Sequence, residues 1–128
     1  MAIPSVTHAL TVRPIWADAI LRGPKRIENR SWLPGPHRAI ALHAGAHDTA
    51  GDIQRALGLG WSGDGRVKSA VVAVLDLGEV IESSDDPWFH GPYGWTIVRV
   101  CPVVPVPMSG RLGLWRLPPG LTLTSQAA

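Results

Sequence analysis

The stretch of this chain richest in side chains that can handle an anion is Gly23-Pro24-Lys25-Arg26-Ile27-Glu28-Asn29-Arg30-Ser31-Trp32. Lys25, Arg26, Glu28 and Arg30 put three cations and one carboxylate close together. Residues 26–32 alternate with a period of two, as a strand does. Glu28, Arg30 and Trp32 then share one face, with the Cα atoms of Glu28 and Arg30 ~6–7 Å apart. A Glu–Arg pair at that separation can face one ligand jointly. Arg30 can fork onto a phosphate or carboxylate. Lys25, in the turn before regular alternation begins, adds a compact charge, and Arg13 is expected near the same surface. The competing reading is a surface ion pair worth under ~1 kcal/mol.

Charge is unevenly spread. The chain of 128 residues carries a formal +2, but segment 13–38 holds six bases (Arg13, Arg22, Lys25, Arg26, Arg30, Arg38) against Asp18 and Glu28. A local basic region in an otherwise mildly acidic chain points to a specific anionic ligand rather than to a bulk polycation. Aromatic content adds to this, with six tryptophans against one tyrosine and one phenylalanine. A base stacked on such a ring gains about 1–3 kcal/mol. Trp32 shares the Glu28/Arg30 face, and Trp88 and Tyr93 lie in a turn-rich loop, so these three are the stacking candidates. Trp16, Trp95 and Trp115 stand in periodic apolar settings that suit a core, and Trp61 is either a lid or a staple under its loop.

Other chemistry is poorly supported. Cys101 is the lone cysteine, so no intramolecular disulfide can form, and its apolar setting suits a small buried hydrophobe. The five histidines fit no zinc spacing beyond His43-x-x-x-His47, and no metal or cofactor is expected. Asp76 and Glu79, three apart on a strand, point to opposite faces unless Gly78 bulges the chain. They read as solvated or partner-facing charge.

The elements that must position these residues follow from local signals. Segment 9–12 is a short strand. Pro14 opens a helix over 14–22, on which Ile15, Trp16, Ala19 and Ile20 recur at three and four, and Gly23-Pro24 ends it. Strands are expected at 26–32, 38–44, 69–82 (bent near Gly78), 95–104 and 112–117. A second helix spans 48–57, capped by Asp48 or Thr49. Pro102, Pro105 and Pro107 suggest a sheet edge beyond Cys101. Residues 119–128 read as a flexible tail. The fold class is therefore mixed α+β, mainly β: a small β-barrel of about five or six strands with two short helices, in one domain with core 9–118. Residues 1–10 lack the pattern of a signal peptide and no apolar run is long enough to span a membrane, so a cytoplasmic location is expected.

The opening Ala9-Leu10-Thr11-Val12-Arg13-Pro14-Ile15-Trp16-Ala17, the helix end Ile20-Leu21-Arg22-Gly23-Pro24-Lys25, and Glu28-x-Arg30 resemble the ASCH domain family of the PUA-like superfamily. Ile40-Ala41-Leu42-His43-Ala44, Gly91-Pro92-Tyr93-Gly94-Trp95 and the segment from Pro105 to Trp115 are similar to its later strands, so the resemblance covers 9–118. It implies a PUA-like β-barrel whose cleft binds RNA or a nucleotide-like small molecule, and it adds His43 to the candidate ligand contacts Arg13, Lys25, Glu28, Arg30, Trp32, Trp88 and Tyr93. Members also include ribonucleases and N4-acylcytidine amidohydrolases. Lys25 matches the lysine of the amidohydrolase branch, whereas Glu28 stands where that branch has threonine. As a hydrolase the chain would use Lys25 as base or nucleophile with Glu28 as its partner. A protein-interaction module, using the acidic 76–86 stretch and the proline-rich edge, is the remaining reading.

Overall fold

The computed structural model describes residues 2–63 and 66–126. The end of the Gly58–Gly65 loop and the last two residues of the expected tail lie outside the described residues. Six strands and two helices follow in the order β1 (His8–Val12), α1 (Pro14–Arg22), β2 (Ile27–Arg30), β3 (Ala39–Ala44), α2 (Ala50–Gly58), β4 (Ala70–Ile81), β5 (Tyr93–Pro107) and β6 (Leu114–Arg116). They form one sheet ordered β2-β5-β4-β3-β1-β6, which curls into a half-barrel with β2 and β6 as its edges. The mainly-β class with two short helices is as expected. One pairing is not visible in the pattern of strands: β1 and β3 run parallel, with Ala9 opposite Ala41 and Val12 opposite Ala44.

Alternation along the strands builds two apolar layers. Leu10, Val12, Ile40, Leu42, Leu75, Trp95 and Ile97 pack with Ala17 and Ile20 of α1. Ala9, Ala41, Val71, Val74, Cys101, Val103 and Trp115 form the other layer, joined by half-buried Leu121 and Leu123. A third cluster (Ile15, Ala19, Ala56, Trp61, Trp88) ties α1 to α2 and to the loop before β5.

Local chemistry explains the boundaries. Pro14 begins α1 and Gly23, at φ 71°, ends it in the left-handed conformation that glycine adopts without strain. Arg13 offers α1 no side-chain cap. The Ile15 amide instead donates to Asp48 Oδ1 at 2.9 Å, while Thr49 caps α2 by accepting from the Asp52 amide. The register of β4 against β5 shifts on either side of Leu77. A Cβ on Gly78 would stand 2.6 Å from Thr96 Oγ1, so only glycine fits that irregular stretch.

Two expectations change. The prolines of β5 do mark a stretch that β2 does not reach, since β2 pairs only with Tyr93 to Thr96. That edge is covered by the segment expected as a flexible tail: the Val104 amide donates to Thr124 O, the Gln126 amide donates to Pro102 O, and Ser125 bridges Val103. Apolar Leu121 and Leu123 anchor it, so residues 121–126 belong to the fold. No helix among the described residues is long and apolar enough to cross a membrane.

Candidate functional site

The first helix delivers the chain to the site. After Gly23 turns it, Lys25 runs inward, 3% exposed, and its ammonium donates to the Ile27 carbonyl and lies 3.6 Å from Glu28 Oε1. Glu28 Oε2 accepts from both Nε and Nη2 of Arg30, each at 2.9 Å. Arg30 Nη2 also donates to the Thr11 carbonyl. The carboxylate is thus clamped from one side by Arg30 and shared with Lys25 on the other. Burial pushes the Lys25 ammonium below its usual range; Glu28 opposes that shift and the neighbouring Arg30 charge adds to it.

These residues open onto a cavity of about 570 Å³, within the range of small-molecule sites. Arg13, Trp16, Lys25, Glu28, Asp52 and Arg55 are among its lining residues, with Asn29 and the segment Pro87–His90 on another wall. Arg13 forms an ion pair with Asp52 of α2. Trp16 meets Trp88 edge to face at 6.1 Å, and both Lys25 Nζ and the Arg55 guanidinium lie within 6 Å of the Trp16 ring centroid. Asn29 holds the wall in place: its Nδ2 donates to Trp88 O, and its Oδ1 accepts from the amides of His90 and Gly91. The cavity therefore combines a ring-sized aromatic surface, three cations and two carboxylates.

Arg13, Lys25, Glu28 and Trp88 meet at this cavity. Arg30 reaches it only through Glu28. Trp32, Tyr93 and His43 are outside its lining. The strand that was to carry Trp32 on the Glu28 face stops at Arg30, and Trp32 packs edge to face on Trp95, whose Nε1 donates to the Trp32 carbonyl. Tyr93 pairs with Arg30 across β2 and β5 and packs on the first apolar layer. His43 is 1% exposed. Its Nε2 lies 2.7 Å from the Met108 carbonyl, which can only accept, so Nε2 donates, and Nδ1 shares a hydrogen bond with the Thr11 hydroxyl at 3.1 Å. Its ring meets Trp115 of the second layer, so His43 serves packing on the face away from the cavity.

Several lining residues carried no sequence signal. Trp16 has the period of a core residue, and α1 does bury Ile15 and Ala19 beside it, yet the indole itself is only half-buried at the cavity wall. Asp52 and Arg55 lie three apart on α2, a spacing that places them on one helix face. Their relation to Lys25 depends on how α2 docks. Trp61 is the staple rather than the lid: it is buried, and its Nε1 donates to Asp18 Oδ2. Asp76 forms an exposed ion pair with Arg99. Among the described residues, no three histidine, cysteine or carboxylate side chains converge to hold a metal ion.

A scan against models of known protein families gives no match, and a search of curated proteins finds none either.

Proposed function

We propose that the chain is an ASCH-type, PUA-like binding domain of the cytoplasm that holds RNA or a nucleotide-like ligand in the cavity between α1, α2, β2 and the loop before β5. The observation that carries this reading is the half-buried Trp16 ring beside the Lys25 and Arg55 cations in a cavity of about 570 Å³. A planar ring can stack on indole while an attached phosphate meets a cation. The Gly23–Arg30 segment supports the family resemblance, because its Lys25 and Glu28 are both lining residues.

Tryptophan fluorescence titrations with nucleosides, nucleotides and short single-stranded RNAs test it. Saturable binding of at least one class is expected, with Trp16→Ala weakening it by about 1–3 kcal/mol. Absence of saturable binding to every class would overturn the reading. A second reading, a small hydrolase on RNA or a modified nucleoside, is favoured by one observation: burial destabilises the Lys25 ammonium, which makes the amine a better base or nucleophile. Product forming during the same titrations, and lost in Lys25→Met, distinguishes it.

A further inference from the structure

The basic region that marks the sequence is largely neutralised inside the protein. Five of the six cations of segment 13–38 have intramolecular partners: Arg13 holds Asp52, Arg22 holds Asp18, Lys25 and Arg30 share Glu28, and Arg26 donates to the carbonyls of Ile20 and Lys25. A groove that follows a nucleic-acid backbone needs a row of cations able to displace counterions from successive phosphates. No such row remains along this cavity. Of its three lining cations, Arg13 and Lys25 already hold carboxylates. Arg55, exposed on α2, has no carboxylate within ion-pair distance among the described residues and lies 5.8 Å from the Trp16 ring centroid. An exposed cation–π contact is weak. The guanidinium is therefore available to fork onto a phosphate beside the indole.

Given the nucleotide reading of the cavity, on which this rests, we propose that the site selects a free nucleoside monophosphate over a polynucleotide strand, with Arg55 receiving the phosphate and Trp16 the base. One phosphate finds one uncommitted cation. A second or third finds none, and instead approaches the carboxylates of Glu28 and Asp52, which line the same space. The site thus counts charge as well as recognising a ring.

The test compares a nucleoside, its mono-, di- and triphosphates, and an unphosphorylated single-stranded RNA of the same base, on the full chain at several salt concentrations. The monophosphate is expected to bind about tenfold more tightly than the nucleoside, since a charge-assisted hydrogen bond separates them. Further phosphates should add nothing, and the logarithmic salt slope should stay near about −1. Arg55→Ala should abolish the monophosphate advantage, so that nucleoside and monophosphate bind the variant alike; Arg55→Lys should restore part of it. Melting temperatures of both variants, which alter an exposed helix position, verify that the fold is retained. RNA binding more tightly than the monophosphate with a salt slope that grows with length would overturn the proposal. So would equal affinities for nucleoside and monophosphate, or an Arg55→Ala loss common to both. Those results leave the nucleotide reading standing, whereas failure of every ligand to bind would remove both.

Discussion

Lys25 occupies an environment that its residue type rarely enters: it is almost wholly buried, with one carboxylate and one carbonyl as its partners. The unfolded chain titrates there near 10.5, and burial, the largest cause, holds the folded value lower despite the pull of Glu28. Between the two values the unfolded chain keeps a proton that the folded chain has lost. Stability therefore rises with pH through that window and levels off above 10.5, while below the folded value the cost of the buried charge is present in full. Lys25→Met removes this dependence and leaves Glu28 paired with Arg30. The stability of wild type relative to Lys25→Met, from urea midpoints, is expected to climb as the pH rises towards the unfolded value of 10.5. A relative stability that falls with rising pH would mean that the ion pair outweighs burial.

Asn29 on β2 ties the loop before β5, a wall of the site, to the sheet. One side chain uses its donor and its acceptor on three backbone groups of residues 88–91. Packing reinforces the link: a Cβ at Gly94 would come within 2.9 Å of both Ile27 Cγ2 and Phe89 Cδ1, so the start of β5, β2 and the loop are in close contact. Asn29→Ala leaves those three backbone groups without their partner. It is expected to cost about 1–3 kcal/mol in urea denaturation and to weaken ligand binding as the Trp88 wall loosens. Asn29→Asp keeps the acceptor for the His90 and Gly91 amides but sets an anion against the Trp88 carbonyl, so it should fall between wild type and Asn29→Ala. Ligand affinity unchanged in Asn29→Ala would show that the wall stands without this staple.

At the scale of the molecule, the curled sheet separates work between its faces. One layer supports α1 and, through the third cluster, the cavity; the other is closed by β6, His43 and residues 121–126. Truncation after Pro119 removes half-buried Leu121 and Leu123 and uncovers the edge of β5. The expected loss is about 2–3 kcal/mol of stability, the burial of two partly covered leucines, with ligand affinity retained because no described residue among those deleted lines the cavity. Thermal denaturation and the nucleotide titration, run on the same truncated protein, check both halves of that statement.

Local covalent and steric signals are written along the chain itself, which is why the helix over 14–22 was legible from Pro14 and Gly23, the irregular stretch of β4 from Gly78, and the strands from their two-residue period. The Lys25–Glu28–Arg30 cluster was legible for the same reason, since its members are neighbours in sequence. Contacts between distant segments have no such signature. Arg13 meets Asp52 across 39 positions and Asn29 meets Trp88 across 59, and only the docking of α2 and of the loop before β5 brings them together. His43 lay outside reach for a geometric reason, because its place on β3 turns it to the face opposite α1. The basic segment shows the difference most plainly. Sequence counts its charges, but tertiary structure assigns their partners, and packing decides that Arg55 on α2, rather than the cations of segment 13–38, has no carboxylate partner at the cavity among the described residues.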